Sequence, residues 1–183
     1  FFNNIMSGRY HSSDLAGVAI GSSIWNPIFT GLSAILLAVS PIVAQKFGEK
    51  KEKDVTTVVT SGIYLSLIIS ILIIVVGAFA LQPLLELMDL DRSVHETARE
   101  YLIGLSYGIL PLFLFNVLRS FIYALGITRI VMVILLSSLP FNFFFNYVFI
   151  FGKFGFPELG GGGAGYATSI TNSIIVIITA VII

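Results

Sequence analysis

Two side-chain amides, Asn142 and Asn146, stand four residues apart in the segment LPFNFFFNYVFIFGKFG (139–155). On a helix that spacing puts both on one face, and the bulky Phe143, Phe144 and Phe145 between them cover the others. Facing a cavity, the pair could coordinate a small cation through its carbonyl oxygens or hydrogen-bond a substrate. Facing a neighbouring helix, it would be interhelical glue, worth about 1–2 kcal/mol per contact in a membrane. The residue types leave both open. Pro140 precedes the pair by two residues; its missing N–H and its ring kink a helix and release a carbonyl near the amides. Pro27 in SSIWNPIF and Pro111 in GILPLFLFN invite the same reading as kinks or hinges.

Other polar residues are more isolated. Asn26 and Asn116 are single amides suited to interhelical contacts or to a cavity wall. Thr168, Thr171 and Asn172 follow LGGGGAGYAT (159–168), where the glycine run suits a turn and close helix packing. No Lys-Ser/Thr pair follows it, so it is not a phosphate loop. The run FFFNYVFIF reads as lipid-facing bulk or as an aromatic cage for a cation. With no cysteine, thiol catalysis, disulfides and thiolate metal sites are excluded. His11 and His95 flank membrane segments rather than pairing at ligand spacing, and no nucleophile and base appear together and no paired acids lie within the membrane, so neither a metal site nor an enzyme is expected. Ten basic residues balance ten acidic ones, which removes the footprint of a nucleic-acid binder.

The elements that must hold these groups follow from where the charges fall. Only 11% of the 183 residues are charged and 56% are hydrophobic, against about 25% charged in soluble domains; mean hydropathy is +0.97. The partner is a lipid bilayer. Charges cut the chain into apolar runs that predict spans at 15–45, 55–85, 101–118, 130–152 and 159–183, each near or above the roughly twenty residues a crossing helix needs. Residues 65–81, LSLIISILIIVVGAFAL, are apolar on every face, which excludes barrel strands, and in lipid a backbone bonded within its own segment must be helical. The fold class expected is an all-α polytopic membrane bundle. The opening FFNNIMSGRYHSSDLAG has neither the basic start nor the apolar core of a signal peptide; residues 1–7, with Asn3 and Asn4, read as the tail of an earlier helix, and the chain as a fragment. Lys46, Lys50, Lys51 and Lys53 make 46–54 the densest basic loop, so it is expected in the cytoplasm. Alternation then puts six basic residues inside, with Arg119 and Arg129, and four outside.

Taken in order, IMSGRYHSSDLAGVAIGSSIW (5–25), PIVAQKFGEKK (41–51), LRSFIYALGITRIVMV (118–133) and NYVFIFGKFGFPELGGGGAGYAT (146–168) resemble the multidrug and toxic compound extrusion (MATE) family, in its NorM-like bacterial branch. The resemblance implies twelve helices in two six-helix lobes that alternate between inward and outward openings. This chain would supply part of the N-terminal lobe and lack the C-terminal one. It also implies a multi-pass cell-membrane protein that exports organic cations or drugs in exchange for Na⁺ or H⁺, with no other cofactor. Asn3 matches a helix-one position where many relatives carry Asp, Asn142 and Asn146 match polar helix-five positions, and Thr168 belongs to the same implied cluster. These four are the implied cation-coupling or cavity residues, with Na⁺ near Asn3, Asn142 and Asn146. Asn at both 3 and 146 leaves this lobe without a titratable acid, so the coupling acids are expected in the C-terminal lobe. A lipid-linked-precursor flippase of the same superfamily would want cationic residues in the cavity, and a non-transporting scaffold would leave the prolines and asparagines without a purpose.

Overall fold

The computed structural model describes residues 7, 11–49, 52–152, 155 and 157–182, with only the backbone at 39, 40, 52 and 53. Seven helices are found among them: α1 (Ser12–Leu37), α2 (Val39–Gly48), α3 (Glu52–Glu86), α4 (Arg92–Ser106), α5 (Ile109–Ala124), α6 (Thr128–Phe151) and α7 (Gly160–Ile182). The described residues contain no strand, and the chain is the all-α polytopic bundle that its hydropathy requires. Among the described residues four stretches are long and apolar enough to cross a membrane: Ser12–Gly48, Asp54–Glu86, Thr128–Phe151 and Gly160–Ile182. The pair α4 and α5, bent by 49° at its junction, passes the same test when its halves are taken together as one span.

That bent pair differs from the single helix expected over 101–118. Helix α4 begins at Arg92, so Arg92, Glu96, Arg99 and Glu100 lie on helix rather than in a loop. Reading the span from its last charge misses this, because an amphipathic turn at the membrane surface carries its charges on the wet side. At the other end, α5 runs to Ala124 and takes Arg119 inside the helix. The break falls at Tyr107 and Gly108, not at Pro111, which sits in the first turn of α5. The reason is local: in an unbroken helix the Pro111 ring would meet the Tyr107 carbonyl one turn back, and no N–H would reach it. By contrast, Pro27 and Pro140 are inside α1 and α6.

Helix α7 is the hub, packing along α4 and α6 and against α5, while α1 lies on α4 and α3 on α5. Small residues let these backbones approach, the usual device where lipid supplies no hydrophobic drive between helices. Three glycine pairs at a spacing of four form the seams. A Cβ on Gly17 would stand 2.6 Å from Thr97 Cβ, and one on Gly21 would meet the Tyr101 ring. On Gly104 and Gly108 it would stand 2.8 Å from Tyr166 N and 2.7 Å from Ser169 Cα, and on Gly161 2.7 Å from Thr97 Cγ2. Gly165 faces the Tyr101 carbonyl directly. The glycine run thus forms the packed first turns of α7. Val18, Tyr101, Leu105, Ile150 and Ala164 fill the core beside these seams. Away from it, Tyr64, Ile68, Leu72 and Phe79 of α3 are exposed, as a helix in contact with lipid requires.

Candidate functional site

Helix α6 positions the amide pair. Asn146 is fully buried and Asn142 half-buried. Asn146 Nδ2 donates to both the main-chain carbonyl and the side-chain Oδ1 of Asn142, each at 2.8 Å. The two residues therefore act as one unit on one helix face. With its N–H groups directed back along α6, the Asn146 amide has its oxygen as the group to present to a ligand or a neighbouring helix. Pro140 lies inside α6 two residues before Asn142 and removes the helical donor to the Leu136 carbonyl, one turn back. Phe143, Phe144 and Tyr147 are exposed on the outer side of the same helix, while Phe145 stacks on Phe149 with centroids 6.4 Å apart.

Thr168 is on α7, which runs alongside α6; its hydroxyl donates to the Ala164 carbonyl of its own helix at 2.8 Å. Asn3 lies outside the described residues. Two hollows in the bundle have other linings: an apolar one of about 440 Å³ between α1, α3 and α4, with Trp25, Ile28, Leu81 and Leu102, and a groove of about 850 Å³ beside the α5–α6 turn. On α1, Pro27 follows exposed Asn26, and Trp25 stacks on Phe29 at 6.1 Å.

Two polar arrangements include partners that the sequence reading does not supply, Arg119 in one and Ser169 in the other. In the first, Asn116 is 1% exposed and bridges helices, its Nδ2 donating to Ser33 Oγ at 3.5 Å and to the Leu112 carbonyl at 3.1 Å. Arg119 Nη2 donates to Asn116 Oδ1 at 2.7 Å, and Ser120 Oγ to the Asn116 carbonyl at 2.8 Å. The interhelical alternative is the one realised for Asn116. The i, i+3 spacing of Asn116 and Arg119 is visible in the sequence, but treating Arg119 as the end of a span hides it. In the second, the α4–α5 break frees the Gly104 carbonyl, because Gly108 N–H donates to Leu105 at 2.9 Å. Ser169 Oγ, from α7, donates to the Gly104 carbonyl at 2.5 Å. No local pattern reveals a donor 65 residues away.

At one end of the bundle Thr97 Oγ1 donates to Asp14 Oδ1 at 3.0 Å, tying α4 to α1. At the other, Val43, Val55, Phe121 and Ala124 pack together below Lys46, whose Nζ stands 3.7 Å from Asp54. Lys46 and the α5–α6 turn with Arg129 therefore share one end.

Comparison with known proteins bears on what this framework serves. The MatE family model matches residues 1–148. The proteins called "Probable multidrug resistance protein NorM" of Halalkalibacterium halodurans and Bacillus subtilis are 54% and 51% identical over all 183 residues. The chain spans about 40% of the length of these curated relatives. Among solved structures, the outward-facing conformation of a multidrug resistance MATE family transporter of the MOP superfamily superposes with a TM-score of 0.87 at 21% identity, over 97% of this chain and 39% of that one. The inward-facing conformation gives 0.86 at 21% identity, over 98% and 41%.

Proposed function

Because this chain belongs to the MatE family, and so to a multi-pass plasma-membrane protein, we propose that the full-length protein is a secondary multidrug antiporter. It exports organic cations or drugs in exchange for Na⁺ or H⁺, and this lobe supplies a neutral, oxygen-lined part of the route. The observation that carries the reading is the buried Asn142–Asn146 unit beside Pro140. No Asp or Glu lies anywhere between residues 101 and 157, so α6 offers no carboxylate, and its fully buried polar side chain is the Asn146 amide. Amide oxygens suit Na⁺ or the N–H groups of a substrate, and they hold no exchangeable proton at neutral pH.

In this mechanism the amide pair, with Asn3 and Thr168, shapes the cavity or a Na⁺ position in the N-terminal lobe. The titrating acids of any proton step belong to the C-terminal part of the protein. Pro27 and Pro140 lie inside the continuous helices α1 and α6 and each leaves one carbonyl without its helical donor, a polar atom available to a cavity. The basic 46–54 end faces the cytoplasm on the charge balance given above.

The test is efflux of ethidium from a pump-deficient bacterium expressing the full-length protein, with the Na⁺ and proton gradients collapsed separately. Efflux stops when one gradient is removed, and that gradient names the ion. Asn3→Ala, Asn142→Ala and Asn146→Ala each reduce it. Absence of efflux under every gradient, from protein present in the membrane, refutes the reading in favour of a flippase; unchanged efflux in all three variants refutes the site.

A further inference from the structure

The α5–α6 turn carries cationic groups that the transport reading does not use. Phe115, Arg119 and Tyr123 recur every four residues and so share one face of α5. The Arg119 guanidinium carbon lies 5.8 Å from the Phe115 ring centroid and 5.9 Å from that of Tyr123. Its polar partner is the neutral amide of Asn116, and its Nε is buried with no hydrogen-bond partner. Among the described residues Arg119 makes no ion pair. At membrane depth a guanidinium charge calls for an anion.

Tyr123 also lines the groove of about 850 Å³, together with Thr128, Arg129, Met132, Leu136 and Leu139. Arg129, Met132, Leu136 and Leu139 follow the 3, 4, 3 spacing of a single stripe on α6. Met132, Leu136 and Leu139 are 57%, 56% and 47% exposed. Ten residues of helix rise about 15 Å, half of a hydrocarbon core about 30 Å thick. The groove is therefore cationic and hydroxylated at its head and, apart from Ser138, whose hydroxyl donates to the Leu135 carbonyl of its own helix at 2.6 Å, apolar for the depth of one leaflet. A soluble anion would leave the stripe unused, and a neutral acyl chain would leave the guanidinium groups unmatched.

We propose that this groove is a binding site for an anionic phospholipid. The phosphate sits at Arg129, Thr128 and the Tyr123 edge, within the field of Arg119, and one acyl chain lies along Met132, Leu136 and Leu139. Basic recesses between membrane helices near the surface recognise lipid phosphates in this way.

The test uses the full-length protein in bilayers of phosphatidylglycerol and phosphatidylcholine in equal amounts, with the photoreactive residue of Leu136→p-benzoylphenylalanine. Mass spectrometry after illumination shows adducts with phosphatidylglycerol in preference to phosphatidylcholine. The preference falls about fivefold for each arginine removed in Arg129→Gln and Arg119→Gln. Arg129→Lys retains most of it. The proposal is overturned by cross-links from position 136 to another part of the polypeptide, which would make the groove an internal protein contact. Lipid adducts indifferent to the headgroup overturn it as well. So does an unchanged preference in the double variant, its fold checked by thermal unfolding. None of these readouts depends on transport, so a failed efflux assay leaves the outcome standing on its own.

Discussion

Replacing Ser169 by Ala tests the reasoning about the broken helix. Ser169 is 4% exposed, and its hydroxyl supplies the hydrogen bond to the Gly104 carbonyl that the chain fails to make at the α4–α5 break. The substitution deletes one oxygen and leaves every carbon contact, so the cavity term is negligible. What remains is the lost bond, about 0.6–1.7 kcal/mol between membrane helices, and a buried acceptor with its donor removed, about 1–3 kcal/mol in proteins generally. The two figures describe one interaction from two sides and are not summed. A loss of about 1–2 kcal/mol of stability is expected, about a 5- to 30-fold shift in the unfolding equilibrium. The assay is reversible denaturation of the full-length protein in lipid or detergent, paired with amide exchange over residues 104–112. Exchange rises at the break while α3, on the other side of α5, keeps its protection. Unchanged stability together with unchanged exchange would refute the assignment, since the Gly104 carbonyl would then have another donor.

Three further outcomes follow from the geometry. Gly165→Ala lowers stability by about 1–3 kcal/mol by overpacking, despite a helix-propensity gain of about 1 kcal/mol, because its Cβ meets the Tyr101 carbonyl; Gly31→Ala, with open space around it, shows the gain alone in the same denaturation assay. Asn146→Asp replaces both donated bonds to Asn142 with an acceptor-only carboxylate. With the carboxylate left facing the Asn142 oxygens, the variant loses about 1–3 kcal/mol in the same denaturation assay; unchanged stability would refute the pairing. A single cysteine at Lys50 reacts with an impermeant maleimide only from the cytoplasmic side; labelling of intact cells from outside reverses the orientation.

The bundle was legible because lipid simplifies the question. Once 31 uncharged residues lie between two acids, as between Asp54 and Glu86, a helix is the one way to bond that backbone. The Asn142–Asn146 pairing was legible for a similar reason, since a spacing of four on a helix brings the two side chains together without help from elsewhere. The α4–α5 segment was not. Its start is amphipathic and its break depends on Pro111 acting one turn upstream, so a rule that ends spans at charges trims both ends. Arg119 was lost to the same rule. The glycine pairs at 17 and 21 and at 104 and 108 were visible as letters, but which helix each seam meets is a property of the packed bundle. Ser169 is the extreme case, because its role exists only when α7 lies against the α4–α5 break.

The glycine seams have a mechanical consequence. Where Gly104 and Gly165 bring α4 and α7 backbone to backbone, and where Gly163 brings α7 against the Phe149 carbonyl of α6, there is no layer of side chains to compress, rotate or re-sort into new rotamers. These helices can slide only by separating, so they behave as a welded strut. Helix α3, held by long side chains that can repack, is the compliant member. A rearrangement of this lobe therefore carries α4, α6 and α7 as one block and takes up the strain at the α4–α5 break and at α3, much as a door transmits a push to its hinges rather than bending.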